Sequence, residues 1–173
     1  MDINRLTVKS QEALQNAKSI AEAHKNQQIG SLHLLRAITS DPESVAVSIL
    51  KKLGVNVQDF QNYTDELIER LPKVEFTSST SAQIYITKEL DDVFKRAEEQ
   101  MREMEDEYVS VEHFLIAMSE KCDAAEVFKQ FNIKKDELLK ALVDIRGGVR
   151  VTDQNPEEKY EALKKYGRDL TEL

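Results

Sequence analysis

The sequence predicts an all-α fold: two tandem, pseudo-symmetric four-helix repeats, then a linker and one further helix. Three observations carry this. His33-Leu34-Leu35-Arg36-Ala37-Ile38 returns as His113-Phe114-Leu115-Ile116-Ala117-Met118, an offset of 80 residues that also carries Thr7 to Thr87, Leu14 to Phe94, Ala17 to Ala97 and Ile29 to Val109. Apolar residues recur at i, i+3, i+4 and i+7 through both copies, the period of a helix with one buried face. The composition, 40% hydrophobic and 32% charged with five Gly and three Pro in 173 residues, is that of a helical globular chain able to bury a core.

The first repeat occupies residues 1–72. Thr7 is placed to cap the first helix, whose stripe is Ala13, Leu14, Ala17, Ile20, Ala21 and His24. Asn26-Gln27-Gln28 is a polar turn, and Gly30-Ser31 opens a second helix with Leu34, Leu35 and Ile38 inward. Asp41-Pro42-Glu43 predicts the next helix start: a cap, a proline at the first helical position and an acid near the positive dipole end. That helix carries Val45, Ile49, Leu50 and Leu53 and stops at Gly54, which tolerates the left-handed conformation after a helix. Asn56 caps a fourth helix through Val57, Phe60, Leu67 and Leu71, which Pro72 ends.

Residues 73–82 read as an inter-repeat linker, from the Thr77-Ser78-Ser79-Thr80-Ser81 run. The second repeat, 83–148, follows the same plan. Thr87 caps its first helix, Ser110 its second and Asp123 opens its third; the fourth carries Leu138, Leu139, Leu142 and Ile145. The offset drops to 78 in the later helices, since Leu53 maps to Phe131 and Val55 to Ile133. Gly147-Gly148 ends the duplication. Residues 149–173 form a linker and the start of a helix at Asn155-Pro156-Glu157-Glu158, with Tyr160, Leu163 and Leu170 on one side. Nothing in the chain is left to cover that stripe, so this tail reads as the entrance to a further domain.

Charge and composition exclude several classes of function. A net charge of −8 argues against nucleic acid, although Lys159, Lys164, Lys165 and Arg168 are grouped in the tail. No apolar run approaches the ~20 residues of a membrane span, and the N-terminus lacks the layout of a signal peptide. Cys122 is the single cysteine, so no intrachain disulfide forms, and the expected location is the cytoplasm.

A search for chemistry finds no phosphate loop, no nucleophile elbow and no H-E-x-x-H. His33 and His113 suggest either a two-histidine metal or acid–base site, or first-turn side chains bonded to backbone. The second reading is favoured, because no carboxylate recurs beside both copies at ligand spacing. Comparing the copies adds one clue. Leu90 and Met104 replace Ser10 and His24, which widens the apolar face of the fifth helix and leaves surface either for a partner or for packing on the other copy.

The duplicated unit resembles the Clp N-terminal repeat. The matching residues are Leu6-Thr7, the Ala-rich stretch from Ala13 to Ala21, and Ser110-Val111-Glu112-His113. The first copy departs from that pattern at Leu32, where Glu112 stands in the second. In the tail, Arg146-Gly147-Gly148, Val151-Thr152-Asp153-Gln154 and the run from Tyr160 to Glu172 resemble the linker and first ATPase-domain entrance of ClpB-type AAA+ disaggregases. The resemblance implies a non-catalytic N-terminal domain that engages exposed hydrophobic segments of unfolded or aggregated polypeptides. It implies substrate-binding roles for Thr7, Asp106 and Glu112, with Leu90 and Phe94 lining an adjacent apolar groove. It further implies no cofactor or metal in this chain and a monomeric isolated domain. The parent would be a hexamer using ATP and Mg in domains beyond this chain, working with an Hsp70-type chaperone system and binding neither nucleic acid nor membrane. The alternative within the class is the N-domain of a ClpC- or ClpA-type unfoldase that docks adaptors and feeds a protease. The alternative outside it is a metal enzyme built on the two histidines.

Overall fold

Each repeat begins at a threonine whose hydroxyl closes the first turn of a long helix. Thr7 Oγ1 accepts from the Ser10 N–H at 3.2 Å and Thr87 Oγ1 from the Leu90 N–H at 3.1 Å. In the computed structural model, which describes residues 2–75 and 84–157, these helices are α1 (Val8–Ala23) and α5 (Lys88–Glu103). The first repeat continues with α2 (Ser31–Ile38), α3 (Val45–Lys52) and α4 (Val57–Glu69). The second continues with α6 (Val111–Met118), α7 (Ala125–Gln130) and α8 (Lys135–Arg146). Lys25 and Glu105, 80 apart, share φ 57° in equivalent turns, and Gly54 and Asn132, 78 apart, are both left-handed at φ 75° and 54°. The duplication is therefore a backbone symmetry as well as a sequence one.

Two helix starts fall later than the sequence predicts. Asp41 does not cap α3; its carboxylate accepts from the Glu43 N–H at 2.9 Å in a local turn, and Ser44 is the cap, bonded to the Ala46 N–H. An aspartate followed by proline serves a turn as well as a helix start, and here the turn wins. Likewise α7 begins after Ala124, two residues beyond the predicted opening at Asp123. Of the predicted linker only Lys73, Val74 and Glu75 are described. The remainder of the predicted tail helix lies outside the described residues, which reach its first turn at Pro156 and Glu157.

One core runs through both repeats. Within each, the first helix packs on the second; between them α2 and α3 pack on α6, α3 on α8 and α4 on α7. Phe60 of the first repeat meets Phe128 of the second edge-to-face at 5.6 Å and Phe131 at 5.4 Å. Neither repeat covers its own apolar face, so each needs the other.

The seam is also stitched by backbone, which helix periodicity does not announce. β1 (Gln28–Ile29) pairs in parallel with β2 (Tyr85–Ile86), joining the α1–α2 turn of the first repeat to the segment entering the second. The equivalent positions pair as a single bridge, Leu6 with Val109. The Thr87 N–H donates to Ile29 C=O and the Thr7 N–H to Val109 C=O, both at 3.0 Å. Each repeat thus hooks its entry strand onto the other.

Candidate functional site

The two hooks place a threonine, a helix N-terminus and a histidine together twice. On the first side the Gly30 N–H donates to His33 Nδ1 at 2.9 Å, so Nε2 carries the ring proton and donates to Asn26 Oδ1 at 2.9 Å. On the second, the Ser110 N–H donates to His113 Nδ1 at 2.8 Å and Nε2 donates to Asp106 Oδ2 at 2.7 Å. Burial, helped by the nearby His24, pushes the His33 imidazole down to about 4, which keeps it neutral. Both nitrogens of both rings are engaged, so neither is free to ligate a metal. Cys122 bonds Met118 C=O, and burial pushes its thiol up, away from reactivity.

Around those histidines the copies diverge in charge. Position by position, Asn26, Leu32 and Ile68 of the first repeat correspond to Asp106, Glu112 and Arg146 of the second (offsets 80, 80 and 78). Arg146 donates to Asp106 Oδ2 at 2.9 Å, and through Nε and Nη2 to Glu112 Oε2 at 3.3 and 3.2 Å. The three are 5%, 6% and 0% exposed, a buried ionic triad where the first copy has an amide and two hydrocarbon side chains. Burial alone would raise the Asp106 carboxyl; the hydrogen bonds from His113 and the Val151 N–H, with the Arg146 charge, hold it below the usual range.

A second divergence concerns the carboxylate at the helix N-terminus. Glu89 accepts from the Ser31 N–H at 3.1 Å and from the hydroxyls of Ser31 and Thr87, so a residue of α5 caps α2 of the other repeat. The residue at its equivalent position, 80 earlier, is Lys9. A lysine cannot accept a hydrogen bond, and the seat is filled instead by Glu157 from the tail. Glu157 Oε1 accepts from the Thr7 hydroxyl at 2.7 Å and the Val111 N–H at 3.3 Å. Burial and then the charge of Glu112 push this carboxyl up to about 7. Glu157 Oε2 and Glu112 Oε1 are both buried without a hydrogen-bond partner.

The predicted site residues therefore fall into two groups. Thr7, Asp106 and Glu112 come together on the second side of the seam, but none is at the surface: all are buried against Arg146 and the segment 151–157. The expectation for Leu90 and Phe94 is corrected. Both are core residues, 0% and 5% exposed, and Phe94 packs on Phe114 of α6 at 5.8 Å. The extra apolar width of α5 is absorbed by internal packing, with Met104 half-buried against the same core. An apolar cleft does lie on the seam, on the other side. It has a volume of about 210 Å³ and is walled by Leu32, Leu71, Pro72 and Val74, with Gln27 and Asp123 among its polar lining. The leucine at 32 was visible as a departure from the repeat pattern, and the charge reversal between Lys9 and Glu89 was the sequence signal for Glu157.

Residues 5–131 match the Clp repeat (R) N-terminal domain family. The chain belongs to that family. Over 171 residues it is 40% identical to the chaperone protein ClpB of Bacillus anthracis, which covers 98% of this chain and 20% of that protein. The chain thus spans about a fifth of the length of the ClpB relatives it matches. The Hsp104 N-terminal domain from Candida albicans has the same fold, with a TM-score of 0.76 at 20% identity over 88% of this chain and 98% of that one. The ClpV N-domain in complex with a VipB peptide superposes with a TM-score of 0.62 at 17% identity, over 82% of this chain and 86% of that one. The described residues thus form a Clp repeat N-terminal domain, helical but for the two short strands at its seam. No described helix is long and apolar enough to cross a membrane.

Proposed function

We propose that this chain is the N-terminal substrate-binding domain of a ClpB-type, ATP-dependent disaggregase, and that it engages exposed hydrophobic segments of unfolded or aggregated polypeptides at the seam between its repeats. The observation that carries this reading is the cleft of about 210 Å³ walled by Leu32, Leu71, Pro72 and Val74. It is apolar, shallow enough to take side chains of varied shape, and edged by polar groups that an extended backbone can bond. Such a site holds hydrophobic stretches weakly and without demanding a sequence. On the opposite side of the seam, Thr7, Asp106 and Glu112 lie buried under residues 151–157 and would supply hydrogen-bond and acidic groups to a client once uncovered. The peptide held by the ClpV N-domain, a protein of like fold, supports a peptide-binding role for the architecture.

The domain itself would be non-catalytic and monomeric, binding no cofactor. ATP and Mg would act in the ring domains of a cytoplasmic hexamer that works with an Hsp70-type system, with neither nucleic acid nor membrane as a partner. The test is a titration of fluorescently labelled, unfolded casein against the wild type and the double variant Leu71→Ser, Val74→Ser. Both side chains are only half-buried, so the fold should survive their loss. Losing part of the ~1.5–3 kcal/mol that full burial of each side chain confers should weaken binding about fivefold or more. Unchanged affinity in a folded variant would remove the cleft from the reading.

A further inference from the structure

Thr7, Asp106 and Glu112 share a neighbour that belongs to the chain itself. The Val151 N–H donates to Asp106 Oδ1 at 3.0 Å, and the Glu107 N–H donates to Val151 C=O at 2.7 Å. Farther along, the Val8 N–H donates to Gln154 C=O at 2.9 Å, and Glu157 enters the seat made by Thr7 and the Val111 N–H. The first three bonds use only the main chain of residues 151–154. Any polypeptide carries the same groups, and the side chain that enters between them, Val151, is an apolar one buried in the shared core, so the segment is held as a bound peptide would be held.

Its anchor is held at a cost. Glu157 Oε2 is buried without a partner beside Glu112, whose Oε1 is likewise buried and unpartnered. Lys9, Glu12 and Asp41 line the shallow cavity on whose wall Glu157 lies, but none of them bonds it. Leaving the seat returns the Glu157 carboxyl to water and uncovers a Glu112 oxygen able to accept from a cation.

We propose that residues 151–157 form a releasable strap, an internal pseudosubstrate on the Thr7, Asp106 and Glu112 side of the seam, in competition with an extended client segment whose Lys or Arg pairs with Glu112. The proposal rests on the substrate-binding reading above and adds its regulation: the second side of the seam is open to clients only when the strap is out.

The test combines casein titration with amide hydrogen exchange at Val8 and Val151, in the wild type, Glu157→Ala and Glu157→Gln. Alanine removes the anchor, so both amides should lose protection and casein should bind about threefold to tenfold more tightly, because the competent fraction rises. Glutamine keeps the acceptor, loses the charge and adds an N–H donor for the Glu112 oxygen, so the strap should tighten and casein should bind more weakly. In the wild type, added casein should itself deprotect both amides. Casein binding with Val8 and Val151 still protected, unchanged affinity in both variants, or a shift in the same direction in both would overturn the strap while leaving the substrate-binding reading standing. No casein binding by any of the three proteins would overturn both.

Discussion

Replacing Arg146 with Met leaves two carboxylates, Asp106 and Glu112, buried without their cation. Removing one member of a buried ionic group typically costs about 3–5 kcal/mol, because the remaining charges are neither paired nor hydrated. For a chain of this size each kcal/mol lowers the melting temperature by roughly 2–4 °C, so a fall on the order of 6–20 °C is expected. The duplicated fold supplies its own control. The triple variant Asp106→Asn, Glu112→Leu, Arg146→Ile installs the residues that the first repeat carries at the equivalent positions, Asn26, Leu32 and Ile68. The triad then carries no buried charge, and hydrophobic replacement of such groups is commonly neutral or stabilising, so the triple variant should lie within about 1–2 kcal/mol of the wild type. Urea unfolding followed by circular dichroism at 222 nm measures all three proteins. A triple variant as unstable as Arg146→Met alone would show that the loss came from packing around residue 146, and would refute the electrostatic argument.

The pH dependence of stability should have two opposed limbs. His33 is lowered from 6.5 to about 4, so the stability it contributes is full above pH ~6.5 and lost as pH falls through about 4. Glu157 is raised from 4.5 to about 7, so its contribution is full below pH ~4.5 and lost as pH rises through about 7. Glu157→Gln should flatten only the upper limb and His33→Asn only the lower; either substitution flattening the other limb counts against the assignment. Lys9→Glu should give the second side of the seam the cap that Glu89 gives the first, expelling Glu157 and speeding exchange at the Val8 and Val151 amides by about tenfold, the factor that ~1.4 kcal/mol of lost protection produces. Its lost pairing with Asp41, at 3.8 Å and partly exposed, should cost little. Retained protection in that variant would show that the two seats are not equivalent.

Local features were legible where the bond that makes them is local. Thr7, Thr87 and Asn56 cap their helices by reaching three residues forward, and spacing alone discloses that. The histidines at 33 and 113 reach three residues back, which fits the first-turn reading. Asp41 misled because its carboxylate had two local uses, a turn and a cap; the turn takes it, and Ser44 caps α3 instead. Leu90 and Phe94 misled for a different reason. A wide apolar face shows how much surface a helix must cover, not whether a partner or the protein's own second helix covers it.

Residue order alone determined the duplication and the helix count of each repeat, because periodicity, caps and motif spacing act within a few residues of one another, and its motifs carried the resemblance to the family. It also marked where the copies differ, at Leu32 against Glu112 and at Ser10 and His24 against Leu90 and Met104. Only the tertiary structure decided what those differences mean. Glu112 is closed in by Arg146, 34 positions away, and Thr7 by Glu157, 150 positions away. Contacts at such separations depend on how two repeats hook and share one core, and no local pattern encodes that.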